Sequence, residues 1–514
     1  MKKNLIQSVV VVVILNFAVK FFGLWREILM AKYYGTGIYT DAYVIANNIP
    51  TVLYAAIGAA IAAAYVPMYA RVQTEQGDGR ARLFTRNLLL LALVTCFVIC
   101  VASEIFANQV VFCFASGYRG ETRLLTVRFT RILLLSLLPV VVTGILGAYL
   151  TIHGEFFVPS FIPLVNNLLI IVSLYFSHFL GNVYIFVIGT FLGITAQAVF
   201  TLAVMYRKRL GLGHDGERVP VLRDQYLRSL LPLVLPVFVG TAVTDLNAIV
   251  DKTLVSGLSS GSVSSLNYAY KIINLVTSVI MGAVTTTFYP EISRQAASGD
   301  REKLRVSLGT LTNATYLLMI PITCLFMTFH REIVLLLFQR GNFDACSTDM
   351  TGQMLIFYSL GLPGIAIRDI ETKVFFSVQD TKTPMMNGIL CALLNIILDI
   401  CLIHRMGGVG AALATSLSAF FSAINLGVLL RRRNLMKAPL KNMVRVLFAA
   451  AVTYLPCWYL WISRIRMMTT GYSALGTAAL MAVLSLPVYL ALLYLLRVDV
   501  VRVAWDSVFS RLKG

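Results

Sequence analysis

A few basic side chains interrupt long apolar runs, and their chemistry gives the first indication of what this chain does. Lys20 and Arg26 lie in the apolar stretch 5–31, and Lys271 lies in the stretch 263–289. A Lys or Arg at the centre of a membrane-spanning helix costs about 2.5–3.5 kcal/mol. We therefore expect the three cations to face a hydrated cavity or to bind an anion there. The alternative is that they snorkel to the interface or form inert interhelical pairs.

The depth of each cation in its stretch suggests a role. Because a helix rises about 1.5 Å per residue, Lys20 and Lys271 lie at similar depths near the middle of the membrane. Arg26 lies nearer the outer end, at the depth of Asp41 in the following stretch. We predict an Arg26–Asp41 ion pair at the level of a gate, with Glu27 as another possible partner of Arg26.

A second set of polar residues lies at one depth and is not basic. Asn395 and Asp399 are four residues apart, and so on one face of a helix, and Thr415 follows in the next stretch. Asp245 and Asp251 lie in the stretch 230–257. Carboxylate, amide and hydroxyl oxygens suit a hard cation such as Na⁺, although interhelical hydrogen bonds would use the same groups.

One further charged cluster is Arg368, Asp369, Glu371 and Lys373 within the stretch 350–377. Arg368 and Asp369 could line the same cavity or neutralise each other. Both interpretations remain open from the sequence.

The elements that position these residues follow from the composition. Of the 514 residues, 58% are hydrophobic and 13% are charged, against roughly 25% in soluble domains. This excludes a soluble multidomain enzyme and a disordered chain, and predicts an all-α polytopic membrane protein. Fourteen stretches are long and apolar enough to span a membrane. They are 5–31, 38–66, 88–114, 126–151, 160–180, 183–206, 230–257, 263–289, 307–329, 350–377, 384–404, 408–430, 442–463 and 474–496.

The distribution of basic residues predicts the orientation. With both termini in the cytoplasm, cytoplasmic segments hold 27 Lys and Arg residues and the opposite loops hold nine. This bias accounts for most of the net charge of +19 without a nucleic-acid partner. The eight cysteines have no metal or disulfide spacing, and we expect no cofactor.

An internal repeat is visible in two pairs of landmarks. The segments YVPMYARVQTEQGD and FYPEISRQAASGD place Pro67 and Pro290 223 residues apart, and Pro159 and Pro384 lie 225 apart. A six-span unit used twice in the same orientation would explain both offsets, with an axis along the membrane normal. The predicted organisation is two six-helix lobes, a C-terminal helix pair and a cytoplasmic tail, at 1–228, 229–437, 438–497 and 498–514.

Several segments of the chain resemble the MurJ/MviN family of lipid II flippases. They are GLWREILMAKYYGTGIYTDAYVIANNIP (Gly23 to Pro50), YVPMYARV, NYAYKIINL, FQRGNFD (Phe338 to Asp344) and SVQDTKTP (Ser377 to Pro384). The family belongs to the multidrug/oligosaccharidyl-lipid/polysaccharide exporter superfamily. The resemblance implies alternating access that moves an undecaprenyl-diphosphate-linked peptidoglycan precursor outward across the bacterial inner membrane, and a groove for the lipid tail beside the last two helices.

The resemblance also implies site residues. The cavity cations of the family fall on Lys20, Arg26 and Lys271, and its acidic partner falls on Asp41. Its sodium site falls on Asn395, Asp399 and Thr415, with Asp251 or Asp245. Two cavity arginines are lysines in this chain; an Arg pair of some members is replaced by Tyr54-Ala55, and a frequent acidic residue is replaced by Asn274.

We therefore expect a monomeric flippase for lipid II, driven by the membrane potential and by sodium, with the cell-wall synthesis machinery as a partner. A flippase for another lipid-linked oligosaccharide is the alternative. A cation-coupled multidrug antiporter would need acidic cavity residues, and a membrane glycosyltransferase would need paired carboxylates on an extramembrane domain.

Overall fold

The computed structural model describes residues 2–213, 219–230, 232, 247, 249–436, 440–465, 472–498 and 501. Within these ranges all of the regular elements are helical. Short turns of 3₁₀ and π helix occur at Val221–Arg223 and Trp461–Ile465. The α-helices are α1 (Lys2–Tyr34), α2 (Ile38–Ile105), α3 (Ala107–Phe114), α4 (Gly120–Leu134), α5 (Leu137–Ile152), α6 (Phe157–Phe179), α7 (Val183–Arg207), α8 (Ser262–Ala297), α9 (Arg301–Thr328), α10 (His330–Phe338), α11 (Ala345–Leu360), α12 (Leu362–Ser377), α13 (Lys382–Met406), α14 (Gly408–Arg432), α15 (Leu440–Leu460) and α16 (Tyr472–Leu495).

The helices have the length and apolar surface of a multi-pass membrane protein, which confirms the predicted class. Among the described residues nine helices can cross a membrane, or eleven if each bent pair is one span. The bent pairs are α4 with α5, at 41°, and α11 with α12, at 44°. Large apolar side chains on these helices are exposed, as lipid-facing positions require.

The number of spans is lower than the fourteen predicted, partly for identifiable reasons. The stretch 230–257 lies largely outside the described residues. The stretches 38–66 and 88–114 lie on either side of Gly77 (φ 79°, ψ 175°), which breaks α2 into two helical segments. Of α2, only Tyr65–Ile105 is among the nine helices. Apart from 230–257, each predicted stretch falls on a helix or on consecutive helices.

The backbone repeats itself at nearly the spacing of the sequence landmarks. Residues with positive φ recur in the same order in the two halves of the chain, mostly where helices end. They pair as Gly35 with Gly261, Gly77 with Gly299, Gly120 with Gly341, Gly154 with Gln379, Gly181 with Gly407, and Arg209 with Asn434. Two of these pairs belong to the predicted landmarks. Gly77 and Gly299 lie near the ends of the segments that contain Pro67 and Pro290, and Gly154 and Gln379 each lie five residues before Pro159 and Pro384. The repeat is therefore present in the turns as well as in the sequence.

The chain forms two compact units. The first comprises Met1–Ser264 and Arg340–Phe343, and the second comprises Ser265–Gln339 and Asp344–Gly514. In the first unit α2 packs against α4 and α5, while α6 packs against α1 and α7. In the second, α14 packs against α12 and α13, and α15 packs against α9 and α16. The predicted boundaries at 228, 437 and 497 stay predictions.

The buried carboxylate of Asp224, in the segment after α7, is hydrogen-bonded to side chains of α2. Arg80 donates two hydrogen bonds to Asp224, at 3.1 and 2.7 Å, and Asn87 Nδ2 donates a third at 2.9 Å. Asp224 also accepts the backbone N–H of Tyr226, whose hydroxyl donates to Glu75. Burial alone would raise the pKa of Asp224, but the hydrogen bonds from Arg80 and Asn87 outweigh it and lower that pKa.

Candidate functional site

Arg26 of α1 is held by two neighbours within the first unit. Its Nη2 donates to Glu27 Oε1 at 2.6 Å, and its Nη1 donates to Asn167 Oδ1 at 3.0 Å. Asn167, on α6, also donates through Nδ2 to the carbonyl of Val19 at 3.3 Å. Because Asn167 bonds both Arg26 and the backbone of α1, it fixes the direction of the guanidinium. Of the two partners predicted for Arg26, the structure shows Glu27.

Asp41 does not pair with Arg26 in this structure, so the predicted Arg26–Asp41 ion pair is wrong. The carboxylate accepts the backbone N–H of Gly261 at 2.7 Å through Oδ2 and that of Ser264 at 2.8 Å through Oδ1. These groups belong to the start of α8, where N–H groups have no partner within the helix. Asp41 is buried, and its charge is stabilised by the helix N-terminus instead of a guanidinium.

The two candidate lysines lie in different units. Lys20 is half-buried on α1, in the first unit, and makes no hydrogen bond or ion pair with the described part of the chain. Lys271 is half-buried on α8, in the second unit, and Asn274 is exposed one turn further along that helix. Lysine provides a mobile point charge, whereas the guanidinium of Arg26 is already oriented.

Arg368, Asp369 and Tyr54 are further residues that could line the cavity, and their contacts are mainly local. Arg368 donates to Asp369 Oδ1 through Nε at 3.2 Å and through Nη2 at 3.0 Å. This adjacent pair neutralises itself, which was one of the two interpretations left open. The half-buried Tyr54 packs its ring against Gly58 and Gly144, where an added Cβ would overlap the phenol.

The candidate sodium ligands are divided between the units. Asn395 and Asp399 are both buried on α13, which confirms that they share one face. Thr415 is half-buried on α14 and donates to the carbonyl of Ala411 at 3.0 Å, so its oxygen can still accept or ligate. All three belong to the second unit, whereas Asp251, half-buried, belongs to the first. Asp245 lies outside the described residues.

Asn395 and Asp399 on α13 and Thr415 on α14 carry oxygen atoms of the kind that ligate hard cations. A carboxylate, an amide oxygen and a hydroxyl are the oxygen ligands that such ions prefer. Asp399 is fully buried, and a buried carboxylate is stabilised by a positive partner. In the described ranges, no group of three or more His, Cys, Asp or Glu has metal-binding geometry, so a cation here would need amide and hydroxyl ligands.

Two structural contacts were missed from the sequence. One is Asn167, which the doublet Asn166-Asn167 within an apolar stretch could have indicated. The other is the loop of the FQRGNFD segment. Asn342 donates through its backbone N–H to Lys32 O at 2.8 Å and through Nδ2 to Tyr33 O at 2.6 Å. The loop thereby satisfies carbonyls at the C-terminus of α1, which have no partner within that helix.

Comparison with known proteins places this chain among transporters. A family model described as lipid II flippase MurJ matches residues 30–481. The lipid II flippase MurJ of Burkholderia cenocepacia is 26% identical over 419 residues, covering 80% of this chain and 81% of that protein. A probable lipid II flippase MurJ of Vibrio cholerae is 26% identical over 524 residues, covering 94% and 96%.

Solved structures share the fold. A lipid II flippase MurJ in an inward closed conformation matches with a TM-score of 0.80 at 24% identity, covering 95% of this chain and 99% of that one. An inward-facing multidrug resistance MATE family transporter matches with a TM-score of 0.68 at 15% identity, covering 82% and 98%. Because the family match extends from the end of α1 into α16, the chain belongs to the lipid II flippase MurJ family.

Proposed function

We propose that this protein is a flippase that moves lipid II, the undecaprenyl-diphosphate-linked peptidoglycan precursor, from the inner to the outer leaflet of the bacterial cytoplasmic membrane. The family match over residues 30–481 carries this proposal. The cations within α1 and α8 support it, since a diphosphate is an anion that must pass an apolar barrier. In this proposal the protein transports the lipid and does not make or break covalent bonds.

The diphosphate is bound by Lys20, Arg26 and Lys271. Arg26 is the oriented donor, because Glu27 and Asn167 already hold its guanidinium. Glu27 also offsets part of its charge, so the phosphate gains most from the lysines. Binding of the anion offsets the mutual repulsion of the cations, which favours closure toward the cytoplasm and opening outward. Tyr54, Asn274, Arg368 and Asp369 are secondary candidates for contacts with the glycan.

The driving force is the membrane potential together with sodium. An inside-negative potential favours outward movement of an anion by about 2.3 kcal/mol per charge per 100 mV. Asn395, Asp399 and Thr415 would hold Na⁺, with Asp251 or Asp245 as a further ligand. Sodium entering down its gradient would supply the energy to return the empty carrier. The role of these residues is to offer oxygen ligands on a buried helix face.

The orientation and surroundings follow from the same proposal. Both termini are cytoplasmic, as the distribution of basic residues predicts. The polyprenyl tail stays in the lipid, in a groove beside the last two helices, and the protein acts as a monomer near the cell-wall synthesis machinery.

A translocation assay with purified protein in proteoliposomes tests the substrate. Labelled lipid II is supplied on one side, and unlabelled teichoic-acid and O-antigen lipid precursors serve as competitors. We expect lipid II to be translocated and to be displaced poorly by the competitors. Stronger translocation of another lipid-linked glycan would identify a related carrier, and extrusion of cationic dyes without lipid movement would identify a multidrug antiporter.

Complementation of a flippase-depleted strain tests the residues. Lys20→Ala or Lys271→Ala should abolish complementation at normal expression, because each removes a charge that binds the diphosphate. Arg445→Ala is the matched control, since Arg445 is a cation that, among the described residues, donates to the carbonyl of Arg497 at 3.0 Å. Full complementation by the double lysine variant would contradict the binding scheme and leave the transport class intact.

A further inference from the structure

A cavity lined by one acidic and one basic side chain lies entirely within the second unit. It has a volume of about 300 Å³ and is lined by residues of α9, α12 and α14, with Met436 and Met443. That volume is in the range of small-molecule sites. Most of its lining is apolar, and its ionisable groups are Tyr316, Glu371 and Arg431. None of these has a role in the proposed flippase cycle.

Glu371 is the acidic side chain on the lining of this cavity. The side chain is 2% exposed, lines the cavity, and its Oε2 has no hydrogen-bond partner among the described residues. An isolated buried carboxylate is costly, so such a group either holds a proton or is satisfied by a positive group. Gly427 allows the carboxylate to lie there, because a Cβ at that position would be 2.8 Å from Glu371 Oε1.

The rest of the lining suits the body of an apolar cation. Tyr316 and Phe420 contribute aromatic rings to the lining, and aromatic rings can attract ammonium groups. Ile367 and Ile424 add aliphatic walls. Phe420, Ile424 and Val428 are also exposed on the outer face of α14, so a ligand dissolved in the membrane can reach the cavity.

We propose that this cavity binds an amphiphilic amine, with its ammonium at the Glu371 carboxylate and its apolar body against Ile367, Phe420 and Ile424. The charge preference is opposite to that of the diphosphate, so the site goes beyond the flippase function. Arg431, at the exposed end of α14, is the other charged group on the lining; it attracts the Glu371 carboxylate and therefore competes with a bound cation. Removing the two charges should therefore change amine affinity in opposite directions.

A matched series of three ligands tests the proposal on the purified full-length protein in detergent. The ligands are 4-phenylbutylamine, 4-phenylbutanol and 4-phenylbutanoate, which differ mainly in charge, and binding is measured by isothermal titration calorimetry. We expect the amine to bind about tenfold more tightly than the alcohol, the size of one charge-assisted hydrogen bond. In Glu371→Gln this preference should disappear while the alcohol still binds, and in Arg431→Gln the amine should bind more tightly.

The controls separate the site from general partitioning and from misfolding. Arg432→Gln removes a neighbouring exposed charge that does not line the cavity, and amine affinity should not change. Gly427→Ala should weaken amine binding by displacing the carboxylate.

Equal affinities for amine and alcohol in the unmodified protein would overturn the proposal, as would an amine preference that survives Glu371→Gln. Tightest binding of the carboxylate ligand, lost in Arg431→Gln, would instead indicate an anionic lipid headgroup. If Glu371→Gln does not fold, unchanged amine affinity in Arg431→Gln also overturns it.

Discussion

The carboxylate of Asp41 accepts the backbone N–H of Ser264 at 2.8 Å, so an acidic residue near the start of α2 caps the first turn of α8. A second acceptor bond, from Gly261, uses its other oxygen. Asp41 is therefore committed to the main chain in this conformation. Any pairing with Arg26 would require those two bonds to break.

Replacing Asp41 with Asn tests this cap. The amide retains one acceptor oxygen but presents an NH₂ group to the second backbone N–H, so one buried donor loses its partner. We expect a loss of about 1–3 kcal/mol in stability, measured as a lower melting temperature of the purified protein. Asp349→Asn, which removes an exposed pair with Arg331, should have little effect. Equal shifts in the two variants would contradict a capping role.

Asn167 should be required for substrate binding although it carries no charge. Asn167→Ala frees Arg26 to change direction and should reduce lipid II translocation partially, whereas Asn167→Asp adds a carboxylate beside Arg26 and should abolish it. Translocation is measured in proteoliposomes. Asn166→Ala, one residue away and not bonded to Arg26, is the control. Normal transport by Asn167→Asp would show that Arg26 does not contact the anion.

Gly341, in the loop between α10 and α11, should not tolerate a side chain. Its φ is +61°, and a Cβ would lie 2.3 Å from the carbonyl oxygen of Lys32. Gly341→Ala should therefore destabilise the protein by more than about 1 kcal/mol. Gly282→Ala is the matched control, because nothing lies within 4 Å of the added Cβ in that helix. Thermal unfolding of the two variants should differ, and a neutral Gly341→Ala would contradict the close approach.

The Asp224 cluster should make stability depend on pH in acid. Because the pKa of Asp224 is lowered in the folded protein, its contribution is fully present above the ordinary aspartate pKa of about 3.9. It is lost as the pH falls through the lowered value. Asp224→Asn should cost about 1.5–3 kcal/mol at neutral pH, and the difference from the unmodified protein should shrink in acid. Glu302→Gln, at an exposed pair, should show no such convergence.

Sodium binding can be tested without transport. If Asn395, Asp399 and Thr415 hold Na⁺, NaCl should raise the melting temperature of the purified protein relative to KCl. The stabilisation would be about 2.7 kcal/mol at a concentration of one hundred times Kd. Asp399→Asn should remove the difference between the two salts. Asn387→Ala changes a residue on the same helix that bonds Ser422 and Asn425, and it should keep that difference.

The fold was largely predictable because its determinants are local. Apolar stretches long enough to span a membrane are continuous in sequence, and most of the turns with a positive φ have Gly at that place. The landmarks around Pro67 and Pro290 thus corresponded to turns at Gly77 and Gly299. By contrast, the bends of 41° between α4 and α5 and of 44° between α11 and α12 were not predicted, because each falls within one continuous apolar stretch.

The partners of the candidate site were harder to predict. Depth along a helix placed Arg26 and Asp41 at one level, but it carried no information about rotation or about competing partners. Glu27 is adjacent to Arg26, and the N-terminus of α8 provides Asp41 with two donors, so both predicted partners were already satisfied. Asn167 was not predicted, because an uncharged amide in an apolar stretch is a weaker sign of a binding site than a Lys or Arg.

The recurring positive-φ residues show which helices of the two halves are equivalent, so that their polar side chains can be compared. α6 and α13 follow equivalent turns, at Gly154 and Gln379, yet α6 carries the Asn167 that orients a guanidinium while α13 carries the buried Asn395 and Asp399. The two halves have turns at equivalent positions, but the helices that follow these turns carry different side chains. Equivalent helices in the two halves thus carry different polar groups: an amide bonded to Arg26 on α6, and a buried amide and carboxylate on α13.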